Sequence, residues 1–299
     1  MKKFITALIS VAMTLAFAGC NGDIKNQESK ELTANDGYKK AVLVVSFGTS
    51  YNETRVKTID AIENKIADEF SDYDVRRAFT SQIIIDKLAE RDNLQIDNVA
   101  GAMQKLVDEN YKELIVQPTH VMNGLEYTEM LDSCKPFESS FEKIAYGEPL
   151  MISDDDYDFV SSAILEFTKD YDAEKTAVVF MGHGTTHEAN STYQRLDNML
   201  KDQGHGNYFM GTVEASPTID DIIPALEAGG YTKVVLLPFM IVAGDHATND
   251  MASDEEGSWK TILKQNGFEV ECVITGLGEY PAIQDLFVLH ARNAETSLL

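Results

Sequence analysis

VLVVSFGT, Val42–Thr49, recurs as VVFMGHGT, Val178–Thr185, so the chain is one pattern written twice and Phe47 answers to His183. Working outward, LIVQP (Leu114–Pro118) followed by Gly124–Glu126 recurs as VVLLP (Val234–Pro238) followed by Gly244–His246, which sets Glu126 against His246. The same alignment sets Ala78–Ser81 against Val213–Ser216 and pairs Phe79 with Glu214. Three strand ends of the second half thus offer His, Glu and His, a set suited to a metal ion.

Short continuous apolar runs read as strands buried on both faces. In the first half they are 41–46, 73–79, 113–117 and 143–146, and in the second 177–181, 208–214, 233–238 and 269–275. Between them the apolar residues take a helical period, as in Val56, Ile59, Ile62, Ile66 and Phe70, or Val99, Met103, Leu106 and Val107. Alternating strands and helices imply parallel sheets with right-handed crossovers. The fold class is therefore α/β, with two flavodoxin-like, doubly wound lobes related by a pseudo-twofold, residues 38–154 and 155–299. In such sheets ligands sit beyond the carboxyl ends of the strands. The six residues paired by the repeat would all point into one cleft between the lobes.

Ahead of the lobes, Lys2 and Lys3 precede an uncharged apolar run from Phe4 to Phe17, and Ala18-Gly19 precedes Cys20. Residues 1–20 read as an export signal resembling a bacterial lipobox, with Cys20 lipidated; an ordinary cleaved signal is the alternative. Residues 21–37 are polar and aperiodic and read as a tether. The folded body is expected in the periplasm or at the cell surface, attached to the membrane only through Cys20. A formal charge of −24 argues against nucleic acid as a partner, because phosphates would be repelled, and it favours divalent cations near a cleft. Cys134 and Cys272 fall at different places in the two halves and are expected to be buried thiols.

Imidazole and carboxylate suit Co, Ni, Fe and Zn as divalent ions, and three protein ligands leave positions open for exchange. No metalloprotease helix, Cys-x-x-Cys pair, nucleophile elbow or phosphate loop suggests another chemistry. His183 and His246 stand out because glycines flank both at equivalent sheet edges. Glu214 is a ligand or the cap of the next helix, and Glu126 a cleft residue or the acidic start of a helix. His187 is a partner of His183 or an early helix residue. His120, just beyond the strand-ending Pro118, is a further candidate, whereas His205 and His290 read as surface residues.

MGHGTTHEAN (Met181–Asn190), VAGDHA (Val242–Ala247) and SFGTS (Ser46–Ser50) together resemble the anaerobic sirohydrochlorin cobaltochelatase family, class II chelatases of cobalamin biosynthesis, over Lys39–Ala294. The resemblance implies a two-lobed fold in which His183, Glu214 and His246 bind the metal and Glu126 belongs to the active site. It implies insertion of a divalent metal, Co(II) with Fe or Ni as alternatives, into sirohydrochlorin, with the metal as substrate and no permanently bound cofactor. Phe47 and Phe79 would pack the macrocycle, and Arg55, Arg76, Arg77 and Arg195 are candidates for its carboxylates. Requiring neutral imidazoles, such an enzyme should lose activity below about pH 6. The export signal favours a second function, a tetrapyrrole or metal carrier for haem, cobalamin or metal uptake. A homo-oligomer is left open.

Overall fold

The structure, a computed structural model, describes residues 37–299. The expected export signal, Cys20 and all but the last residue of the tether lie outside the described residues. Eight strands form two four-stranded parallel sheets: β1 (Lys39–Ser46), β2 (Asp74–Phe79), β3 (Tyr111–Pro118) and β4 (Lys143–Tyr146) in the order β2-β1-β3-β4, then β5 (Thr176–Gly182), β6 (Tyr208–Thr212), β7 (Lys233–Pro238) and β8 (Glu269–Cys272) in the order β6-β5-β7-β8. The identical orders are the repeat in three dimensions, and the architecture is the α/β pair of lobes expected from the sequence. Three strands are shorter than their apolar runs: β2 begins at Asp74, β6 ends at Thr212 and β8 at Cys272.

The helices are α1 (Asn52–Lys57), α2 (Ile59–Glu69), α3 (Gln82–Asp92), α4 (Val99–Asp108), α5 (Leu125–Cys134), α6 (Asp154–Thr168), α7 (Ser191–Asp202), α8 (Ile219–Ala228), α9 (Trp259–Gln265) and α10 (Pro281–Thr296). Alternate strand residues divide between two faces, as a doubly covered sheet requires. Ala41, Leu43 and Val45 of β1 pack under α4 and α5, and Ala177, Val179 and Met181 of β5 under α8 and α9. Val42, Val44, Val178 and Phe180 instead face one apolar layer shared with α2, α6, α7 and α10. That shared layer joins the lobes. The periodic run that starts at Val56 is interrupted at Thr58, between α1 and α2, so Val56 is exposed while Ile59, Ile62 and Ile66 are buried.

The chain ends by returning to the first lobe: α10 packs on α2 and β3, and α6 lies against α7. His290 of α10 is consequently buried, where the sequence suggested a surface residue. Its Nε2 lies 2.9 Å from Asp156 Oδ1 and its Nδ1 3.1 Å from the Glu148 carbonyl. Asp156 also accepts the N–H groups of Ile152 and Ser153 in a capping box that starts α6. Burial alone would raise the Asp156 pKa, but these hydrogen bonds, led by the Ser153 backbone, hold it below the usual carboxylate range. Cys134 is buried, Cys272 is half-buried, and both are free thiols.

Candidate metal centre

The site begins where β5 ends. His183 follows Gly182, the last residue of the strand, and the chain turns at Gly184, whose φ of +85° is open to glycine at little cost. A Cβ there would also lie 2.8 Å from the Ala215 nitrogen and from Thr212 Cβ, so the His183 loop and the β6 loop are locked together. Val213 N–H donates to the Gly182 carbonyl at 3.0 Å and Glu214 N–H to the His183 carbonyl at 2.8 Å. Parallel pairing therefore continues past β6 and carries Glu214 alongside His183. Glu214 Oε2 lies 3.7 Å from His183 Nδ1.

His246 arrives from the loop after β7. A turn closed by Thr248 N–H on the Gly244 carbonyl, 3.0 Å, leads into a single π turn, Ala247–Met251. That turn brings Asp250 Oδ2 to 2.6 Å from His246 Nδ1. A carboxylate accepts only, so Nδ1 carries the proton and Nε2 presents a lone pair. The His183 Nδ1 likewise faces a pure acceptor, the Gly184 carbonyl, at 2.9 Å. Donor atoms of His183, Glu214 and His246 lie within 4.8 Å of one another, and all three side chains are accessible, at 47%, 55% and 31%. Open and partly wet, this is a place for an ion in transit more than for a sealed structural metal. Asp250 was passed over in the sequence, although its place four residues after His246 is the signal that a helical turn would pair them.

From the first lobe, Tyr51 Oη donates to Asp245 Oδ1 at 3.1 Å, joining the loop after β1 to the residue before His246. Glu126 stands in the first turn of α5. Its side chain is 49% exposed, but desolvation by the surrounding protein still raises its pKa above the ordinary carboxylate value, with His183 opposing the rise and Glu129 adding to it. Glu126 is thus electrostatically coupled to the second lobe's His183 while its Oε2 sits 3.9 Å from Nε2 of His120.

Phe47 is 48% exposed at the end of β1, where a ligand could meet it. Phe79 is fully buried and does not face the cleft. The reason is register. Ser46 pairs with Phe79 as Gly182 pairs with Thr212, so Phe79 is the counterpart of Thr212, also buried. The true counterpart of Glu214 is Ser81, whose N–H donates to the Phe47 carbonyl at 3.2 Å as Glu214 does to His183. Phe79 instead lies against Gly48, where a Cβ would come within 2.5 Å of its ring, at a φ of +101°. It is a core residue that the loop after β1 closes over.

His187 caps a short 3-10 turn, accepting from Ala189 N–H at 3.1 Å, and His205 packs edge-to-face on Tyr208. A second cluster, Glu148, Asp156 and His290, also brings donors together. Both of its ring nitrogens are already committed, so it reads as a buried clamp between α6 and α10. Of the four arginines, Arg76 pairs with Glu109, Arg77 with Asp60 and Glu63, and Arg195 with Asp154. Arg55 meets Asn52 through Nη1 at 2.7 Å, and its buried Nε has no hydrogen-bond partner among the described residues.

The family model described as cobalt chelatase (CbiK) matches residues 40–296. The sirohydrochlorin cobaltochelatase of Salmonella typhimurium is 41% identical over 256 residues, spanning 86% of this chain and 96% of that protein. The sirohydrochlorin cobaltochelatase CbiKC of Nitratidesulfovibrio vulgaris is 32% identical over 262 residues, 87% of this chain and 92% of that one. Among solved structures, SirB from Bacillus subtilis with Fe3+ superposes with a TM-score of 0.61 at 17% identity, covering 87% of this chain and 97% of that one.

Proposed function

We propose that this chain, which belongs to the cobalt chelatase family, inserts Co(II) into sirohydrochlorin at the strand ends shared by its two lobes. The observation that carries the site assignment is the convergence of His183, Glu214 and His246 within 4.8 Å. Two neutral imidazoles and a carboxylate hold the incoming ion weakly enough to release it, and the open positions admit water and then pyrrole nitrogens. Insertion requires two N–H protons to leave as the ion sheds its water. Glu126, set in the other lobe with its pKa raised, takes one pyrrole proton and water in the open site takes the other, since a base works best with a pKa drawn toward the operating pH. The exposed Phe47 packs on the macrocycle, and Arg55, which has no carboxylate partner among the described residues, meets one of its acid groups.

The basic start, apolar run and Cys20 support an exported chain anchored by lipid on Cys20, so this activity operates outside the cytoplasm. Export also favours a carrier, and turnover number separates the two. Full-length protein is incubated anaerobically with a tenfold excess of sirohydrochlorin and Co(II), and the absorption change is followed. A chelatase converts all of the tetrapyrrole faster than the spontaneous reaction, whereas a carrier stops at one equivalent.

A further inference from the structure

A buried polar group without a partner is costly and asks for an explanation. His120 is such a group. It is 7% exposed, and neither Nδ1 nor Nε2 has a hydrogen-bond partner among the described residues. The backbone around it is firmly held: its carbonyl accepts Leu150 N–H at 2.8 Å, and the preceding Thr119 donates its hydroxyl to Ser46 Oγ at 2.8 Å. From that buried position its Nε2 lies 3.9 Å from Glu126 Oε2. That gap is longer than a hydrogen bond, and of the two side chains it is Glu126, half-exposed at the start of α5, that has room to close it. Catalytic hydrogen bonds are often long before substrate enters.

We propose that His120 is a positioning residue for Glu126: when the tetrapyrrole enters, its neutral ring donates Nε2–H to the Glu126 carboxylate and holds that carboxylate over the pyrrole proton it removes. The inference rests on the chelatase reading. Burial pushes the His120 pKa down to about 4, so the ring stays neutral across the working range and does not surrender a proton to the carboxylate it orients. The proton removed from the pyrrole nitrogen ends on Glu126, the N–H pair passes to the metal–nitrogen bond, and His120 changes only its hydrogen bond.

The test compares His120→Phe, which fills similar space without a polar atom, with His120→Gln, whose amide restores a donor. His120→Phe should lower kcat for Co(II) insertion tenfold or more at unchanged KM, as loss of an oriented base would. It should also move the acid limb of kcat to higher pH, because Glu126, faced also by His183 and Glu129, loses the donor that favours its ionised form. His120→Gln should recover most of both effects. A His120→Phe chain with wild-type kcat and acid limb overturns the proposal. Should neither variant fold, histidine 15N spectra of the full chain with metal-free sirohydrochlorin bound are compared with those of Glu126→Gln. A shifted His120 Nε2 supports the bond, and an unmoved one overturns it. An unaltered chain that inserts no metal refutes the chelatase reading instead, and the 15N comparison, which needs no turnover, still decides the His120–Glu126 bond.

Discussion

The rings of His183 and His246 meet edge to face, 4.8 Å between centroids and 84° between planes. Each has its Nδ1 turned to an acceptor, the Gly184 carbonyl for one and the Asp250 carboxylate for the other. Two loops from different strands thus deliver two oriented imidazoles to one point, with Glu214 held beside them by the backbone bond to His183. The orientation precedes any ion, so binding does not have to pay for ordering the ligands.

Asp250 should therefore matter to an ion it does not touch. Asp250→Ala frees the His246 ring and is expected to weaken Co(II) binding about 10–100-fold with no loss of secondary structure. Calorimetric titration of the tetrapyrrole-free protein reads the affinity directly. An unchanged value would mean that the π turn alone orients His246.

Gly184→Ala tests the coupling of the two loops. An alanine at a φ of +85° is strained by about 1–2 kcal/mol, and its Cβ must also displace the Ala215 backbone. Reduced thermal stability together with slower metal insertion is expected. A variant as stable and active as the wild type would show that the His183 and Glu214 loops move independently.

Much of this was legible in the chain. Runs such as Val42–Val45 and Val178–Met181 are apolar at every position, which is what a strand covered on both faces needs, and the repeat located both central strands. His183 and His246 were visible because histidines fall where the first half has Phe47 and Glu126, and Glu214 because an acid stands beyond the neighbouring strand. Phe79 was misassigned because aligning the halves by residue type ignored register: a shift of two positions leaves the side chain on the same face but moves it from the cleft rim into the core. His290 was misjudged because its burial depends on α10 crossing to the first lobe, and nothing local in α10 shows which sheet it will cover. The orphaned state of His120 is a three-dimensional fact with no sequence signature.

The His290–Asp156 pair sets an acid limit on stability. The folded Asp156 pKa lies below its unfolded value, so its contribution is fully present above the unfolded value of about 4 and is lost as pH falls through the folded one. His290→Ala leaves buried Asp156 without that hydrogen bond and should cost about 1–3 kcal/mol at neutral pH. Urea unfolding at pH 7 and again below pH 4 checks both parts: the difference between wild type and variant should shrink in acid. A difference independent of pH would remove Asp156 from the account.

Burial, assisted by the nearby Glu138, pushes the Cys134 thiol up to about 12, leaving almost no thiolate at neutral pH. Of the two cysteines among the described residues, disulfide reagents should label only Cys272 in the native protein, with Cys134 reacting only after unfolding. Reducing agent should leave the melting temperature unchanged, since no disulfide joins the two. Rapid labelling of both thiols in the folded state would contradict the burial.

The most direct test is the anaerobic initial rate of Co(II) insertion into sirohydrochlorin by the wild type and by His183→Ala, with circular dichroism confirming that both are folded. A loop position beyond β5 contributes little to the core, so the variant should fold normally and insert no faster than the uncatalysed reaction. A folded His183→Ala chain that keeps the wild-type rate would contradict the assignment of metal delivery to His183, Glu214 and His246.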